Sequence, residues 1–274
     1  MKRILVPIDF SEQAICAAKV AARIAKKINA EIYLLHMLEM PEGIVDMMAG
    51  SDDTPASMLL MKKVHERFNE LKKEPFFDGI TLHETVQFHK AFDGVISESK
   101  KDNIDLIVMG SAGATGITEI VIGSNTEKVV RHSEIPVMVI KKGNENFDIN
   151  NIVFASDFAK DSKAKFQDVL DFSNLFDAKL HLLYVNTAHR FNSTRKISNT
   201  INSFVADFKI NNYDTYIYND ISIEKGILNY TNEINADLIA LNTHGRSGLS
   251  QLINASISED LANHALKPVI TFKI

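Results

Sequence analysis

Cysteine is almost absent from this 274-residue chain. Cys16 stands alone, so no intramolecular disulfide and no cluster of thiolate metal ligands can form. Its place on a helix of small residues reads as an inert, buried thiol. Long apolar runs are also missing. No stretch is long enough to span a bilayer, and Lys2-Arg3 leads into only three apolar residues before Pro7, too few for a secretory leader, so the expectation is a cytoplasmic protein. There is no basic surplus: 30 Lys and Arg face 35 Asp and Glu, a formal net charge of -5, which gives no general attraction to nucleic acid or to an anionic membrane. Neither Gly-Lys-Ser/Thr nor Gly-x-Gly-x-x-Gly occurs, which excludes the two best-known phosphate loops. The histidines form no ligand set. His83 and His89 find no third partner, and His36, His132 and His181 lie in apolar or helical stretches suited to local hydrogen bonds.

What is present is an alternation of short apolar runs with helical patterns. Ile4 to Ile8, Glu31 to Met37, Thr81 to Phe88, Ile104 to Met109 and Ile135 to Ile140 read as strands. Between them come a helix N-capped by Ser11 and lined by Ala14, Ala17, Ala18, Ala21, Ala22 and Ala25, a second from Ala56 to Lys73, a third from Gly94 to Lys101 and a fourth through Asn125 to His132. Residues 41 to 55 are rich in Gly, Pro, Ser and Asp and read as a loop excursion. Strands alternating with helices imply right-handed crossovers and a parallel sheet.

The chain then repeats itself. Asn151 to Phe158 restates the opening at an offset of 148, with Asp157 on Asp9 and Ala155 on Pro7, and Ala178 to Val185 keeps that offset against Ala30 to Met37. By Ala236 to Leu241 the offset is 132, so sixteen residues (148 minus 132) are missing between the second and fourth strands of the second copy. The reading is a tandem duplication, residues 1–142 and 150–274, joined by a short polar linker.

One stretch carries chemistry. Behind the fourth strand lie Met109, Gly110, Gly113, Gly123, Ser124 and Asn125: Gly-x-x-Gly, nine residues, then Gly-Ser where a helix begins. Glycines permit close backbone approach, and the unpaired N–H groups of a helix start attract anions. On spacing alone this serves a phosphate cradle or an ordinary strand-to-helix turn. Asp9, likewise, is by itself either a site carboxylate or a turn residue.

Taken together, the glycine stretch and the opening Ile4-Leu5-Val6-Pro7-Ile8-Asp9 closely resemble the universal stress proteins. That resemblance implies two Rossmann-like α/β domains, each a five-stranded parallel sheet of order 3-2-1-4-5 with helices on both faces. It also implies a site where strands 1 and 4 diverge, the place where such sheets bind ligands. There, ATP (or AMP or ADP) would be held by Pro7, Asp9, Met37, Met109, Gly110, Gly113, Gly123, Ser124 and Asn125, with backbone groups around His89 to Ala91 added at the adenine. Asp9 is the candidate contact to Mg2+ on the phosphates. In the second copy Asn242 stands on Gly110 and Ala255 on Gly123, while Gly245 and Ser256 remain, so one working nucleotide site is expected. No positioned base or nucleophile accompanies it, which favours an ATP-binding regulator of a stress response, acting through an unknown protein partner, over a slow ATPase or phosphotransferase. A scaffold with a vestigial site is the third reading. The resemblance also implies that the fifth strands meet, here within one chain as a pseudo-dimer that could dimerise further.

Overall fold

The computed structural model describes residues 1–38, 55–88, 91–111, 123–141, 143, 148–243, 265 and 267–274. In the first half β1 (Arg3–Pro7), α1 (Glu12–Ile28), β2 (Glu31–Met37), α2 (Pro55–Leu71), β3 (Leu82–Gln87), α3 (Ala91–Lys101), β4 (Leu106–Gly110), α4 (Ser124–His132) and β5 (Val137–Ile140) follow in turn. In the second half come β6 (Asn151–Ala155), α5 (Lys163–Leu175), β7 (Lys179–Thr187), α6 (Thr194–Val205), β8 (Tyr213–Asp220), α7 (Ile223–Glu233), β9 (Leu238–Thr243) and β10 (Val269–Lys273). The apolar runs became the central strands because both faces of a parallel sheet are covered: β4, β5 and β9 are buried along almost their whole length. The third helix starts at Ala91 rather than at Gly94, which lies inside it.

All ten strands form one sheet of order β3-β2-β1-β4-β5-β10-β9-β6-β7-β8. Each half reads 3-2-1-4-5, but the two are not separate five-stranded sheets. β5 and β10 pair antiparallel, with Val139 opposite Val269, Met138 opposite Ile270 and Val137 opposite Thr271, and every other pairing is parallel. The apolar edge that a fifth strand would expose is thus covered. One face of the sheet carries α1, α2, α5 and α6 over a core that crosses the seam through Met138, Ile140, Ile270 and Phe272. The opposite face is divided, with Leu5, Leu35, Val95, Ile107, Met109 and Val129 in one cluster and Val153, Leu183, Ile227 and Leu241 in another.

The duplication extends to single hydrogen bonds. Asp105 accepts the backbone N–H groups of Lys2 and Arg3, and Asp237, 132 residues on, accepts those of Asn150 and Asn151. Phe10 and Phe158 both take left-handed backbone, φ 63° and 56°, where the first strand of each half turns into its helix.

Candidate functional site

In both halves the chain leaves the first strand through an aspartate that organises its own turn. Asp9 Oδ1 accepts the Ser11 N–H at 2.9 Å, and Asp157 Oδ1 accepts the Ala159 N–H at 2.9 Å. Part of Asp9 is therefore occupied in shaping the turn. Ser11 then caps α1, its hydroxyl accepting the Ala14 N–H at 3.2 Å. Pro7 closes β1 opposite Leu35, and Ile8 donates its N–H to Leu35 O at 2.8 Å, so the ends of β1 and β2 lie side by side.

The end of β4 comes next to this turn. Gly110 lies beside the first turn of α1, where an added Cβ would stand 3.0 Å from the Gln13 backbone. The missing side chain is what lets the first turn of α1 close onto the strand end. Ser111 is buried, donates its N–H to Ile140 O at 2.9 Å, and accepts the Gly123 N–H at 2.7 Å. The two ends of the glycine loop are therefore tied together. Thr126 on α4 donates to Gly110 O at 3.0 Å and fixes the helix to the strand.

The start of α4 differs from those of α1, α6 and α7, which are capped by Ser11, Ser193 and Ser222. Gly123 occupies its N-cap position and offers no side chain to accept from its first turn. Among the described residues no side chain caps the first-turn N–H groups, and with the positive end of the helix dipole they suit an anion. Ser124 is exposed and Asn125 half-buried there. The donors present fit a polyphosphate, and the Asp9 carboxylate suits its magnesium.

Pro7, Asp9, Gly110, Gly123, Ser124 and Asn125 thus share one corner of the sheet. Met109 is at the same strand end but its side chain is buried in the core with Leu5, Leu35 and Val129, so only its backbone could face a ligand. Met37 ends β2, and its thioether fills the space left by Gly94 on α3. Gly226 and Val185 repeat that arrangement, the valine Cγ1 lying 2.5 Å from a Cβ built on the glycine. Gly113, His89, Lys90, Gly245, Ala255 and Ser256 lie outside the described residues.

Three further side chains border the corner; the sequence reads His36 as a local hydrogen-bonding histidine, while Phe10 and Arg67 have no part in its reading of the site. His36 holds its Nδ1 2.6 Å from Ile8 O, and burial pulls its pKa below the usual histidine value, opposed by that bond and by Asp9. Phe10 packs edge-on to Phe68 at 5.3 Å, and the Arg67 guanidinium sits 4.6 Å from its ring centre. Only helix phase and tertiary packing bring Arg67 there, so no local signal could have shown it. Elsewhere the histidines bond locally: His132 Nδ1 is 2.9 Å from Lys128 O, and His181 Nε2 is 3.1 Å from Asn151 Oδ1. Among the described residues no group of three potential ligands could hold a metal. No described helix is long and apolar enough to cross a membrane.

In the matching corner of the second half Asn242 stands where the first half has Gly110. Asn242 is buried, and its amide donates to Ser162 O at 3.1 Å. Between the ends of β6 and β7, beside Asp157, Tyr184 and Arg190, lies a cavity of only ≈ 30 Å³. Small-molecule pockets run to about 300–1,000 Å³, so this space between the described residues is far smaller than one.

The family model of the universal stress protein family matches residues 1–141 and 218–273. The chain belongs to the universal stress protein family. A universal stress protein of Methanocaldococcus jannaschii is 32% identical over 141 residues, 52% of this chain and 82% of that protein. One from Synechocystis is 24% identical over the whole length of both. Among solved structures, a universal stress protein from Archaeoglobus fulgidus superposes with a TM-score of 0.74 at 22% identity, covering 99% of this chain and 96% of that one. One from Pseudomonas aeruginosa reaches 0.66 at 15%, covering 100% and 93%. Both share the α/β fold across the whole chain. In the second half Asn242 and Ala255 stand where the first half has Gly110 and Gly123.

Proposed function

We propose that this universal stress protein binds one molecule of ATP, with magnesium, in its first half, and acts in the cytoplasm as a nucleotide-dependent regulator of a stress response. The observation that carries the reading is the start of α4: a helix N-terminus that no side chain caps among the described residues, behind Gly123, tied to Ser111, at the point where β1 and β4 diverge. Backbone N–H groups of Ser124 and Asn125 would hold phosphate oxygens, and Asp9 would offer its carboxylate to the magnesium. Pro7 and Met37 would border the adenine. The Asn242 side chain and the ≈ 30 Å³ cavity argue that the second half holds no second nucleotide. In this reading residues 1–142 and 150–274 are the two domains, and the β5–β10 seam makes them an intramolecular pseudo-dimer.

Calorimetric titration of Mg-ATP into the full chain tests it. The expected stoichiometry is one per chain. Gly123 has φ -60° and ψ 142°, which alanine also adopts, so Gly123→Ala should keep the fold and weaken ATP by about tenfold or more through the added methyl at the phosphates. Two equivalent sites, or no effect of the substitution, would refute the proposal.

A further inference from the structure

The second half has a groove of its own, away from the Asn242 corner. It runs between the start of α5 and the helix α6, has a volume of ≈ 740 Å³, and is lined by Lys160, Lys163, Arg195 and Lys196 against one carboxylate, Asp207. Its floor is apolar: Phe158 and Phe204 are buried and meet edge-to-face at 5.2 Å. Lys163 is spoken for, since its ammonium bonds Asp207 and Ser203 O at 3.0 Å. Lys160, Arg195 and Lys196 are exposed and have no carboxylate partner among the described residues. Four cations less one carboxylate leave three formal positive charges in one groove of a chain whose net charge is -5.

The fold does not require these charges. Phe158 corresponds to Phe10 and Phe204 to Phe68, and the two ring pairs have nearly the same geometry, 5.2 Å and 5.3 Å apart. Measured from those anchors, Lys160 and Lys163 (offset 148) stand where the first half has Glu12 and Ile15. Arg195 and Lys196 (offset 136, that of Phe204 to Phe68) stand where it has Leu59 and Leu60. Four positions that carry no cation in one copy carry four in the other. Like charges lining one groove repel one another, and an anion bound among them relieves that repulsion.

We infer that the groove between α5 and α6 is a binding site for a small anion carrying about three negative charges, the charge class of an oligophosphate or a tricarboxylate. It is independent of the nucleotide site. The size fits: about 300–1,000 Å³ is the range of small-molecule pockets. The apolar floor lies beneath the charged rim and lowers the local dielectric, which strengthens each ion pair made there.

The test is calorimetric titration of the full chain at low ionic strength with tripolyphosphate and, separately, with citrate, which tells the two sources of charge apart. Binding of either is expected, weakened by about tenfold or more on raising the salt to physiological strength and in the double variant Arg195→Ala/Lys196→Ala. Lys196→Glu should abolish it. All these side chains are exposed, so the variants should fold, which an unchanged Mg-ATP stoichiometry verifies. Gly123→Ala should leave the anion bound, which separates failure here from failure of the nucleotide reading. Absence of binding for both anions, binding that the double variant does not change, or binding only of duplex DNA or an acidic peptide overturns the inference.

Discussion

The two corners where a first strand turns into its helix began as copies, and they show how one packing choice propagates. In the first half α1 buries Ala14, Ala17, Ala18, Ala21, Ala22 and Ala25, and lies close over β1 and β4. In the second half the positions 148 residues on are larger: Phe166 for Ala18, Val169 for Ala21, Leu170 for Ala22. A helix resting on phenylalanine and leucine must stand further from the sheet than one resting on alanine. α5 accordingly makes its main strand contacts with β10. A close helix needs Gly110 at the strand end, whereas a distant one leaves room for Asn242. The first turn then adapts: residues Lys160–Ser162 form a 3₁₀ turn where α1 is already helical, and the Ser162 carbonyl takes the Asn242 amide. Loss of the glycine and loss of the alanine stripe are one event seen from two sides.

The comparison is most severely tested where the helix stands off. Phe166 is fully buried among Phe154, Phe204 and Phe208, with ring centres 4.8 to 5.1 Å away. Phe166→Ala should lower the unfolding free energy by about 3–5 kcal/mol, because α5 cannot close the void while Asn242 props it. The reverse change, Ala18→Phe, should destabilise the first half by about 1–3 kcal/mol or more through overpacking. Urea unfolding with constant m-value measures both. An Ala18→Phe chain as stable as wild type would mean that α1 is free to stand off too, and that the alanines are not what hold it close.

A smaller effect comes from exchanging the strand-end residues. Gly110→Asn brings a side chain to within 3.0 Å of the Gln13 backbone and should cost about 1–3 kcal/mol. It should also abolish ATP binding by forcing the start of α1 away. Asn242→Gly removes the partner of Ser162 O and leaves a buried carbonyl unpaired, costing about 1–3 kcal/mol, without creating a nucleotide site, because the ≈ 30 Å³ cavity is bordered by Tyr184 and Arg190 and not by Asn242. A second bound ATP in Asn242→Gly would show that the asparagine alone closes that corner.

Much of this was legible in the sequence, and the limits have a common cause. Strands and helices followed from apolar runs and the alanine stripe, since these are local. The duplication followed from offsets, and the place of the corner from the opening strand and the glycine stretch. The neighbour of Gly110 could not be named, because Gln13 lies 97 residues away and only the helix-to-sheet distance brings the two together. Met37 was read as a ligand neighbour, but its contact with Gly94 depends on where α3 begins, and that start was misplaced by three residues. The basic groove was invisible because Lys160, Lys163, Arg195 and Lys196 sit on two elements more than thirty residues apart. Helix phase and packing decide that they converge.

The smallest expected effect is one of protons, and it has the same sign in both halves. Burial lowers the pKa of His36 in the first half and of His181 in the second. The folded chain therefore keeps both rings neutral at a pH where the unfolded chain has begun to protonate them. Where the unfolded state binds more protons, stability rises with pH, so both contributions are present above the ordinary histidine value of 6.5 and are lost as the pH falls below it. His181 is buried and His36 half-buried, and in both rings burial is the larger cause of the lowered pKa. Lys141, at the end of β5, extends the trend on the alkaline side. Burial lowers it to about 8 from 10.5, so its burial penalty persists below that value and is relieved as the pH rises above it. The tyrosines act oppositely, since Tyr33 and Tyr230 are raised by burial and lose stability only above their usual range near 10. Urea midpoints taken from about pH 5 to 9.5 should accordingly climb, level off near neutrality, and climb again. His36→Asn and His181→Asn should each remove part of the acid limb, and Lys141→Met the alkaline one. If His36→Asn removes the whole acid limb and His181→Asn none, the two halves do not share this dependence, and the second ring protonates within the folded protein.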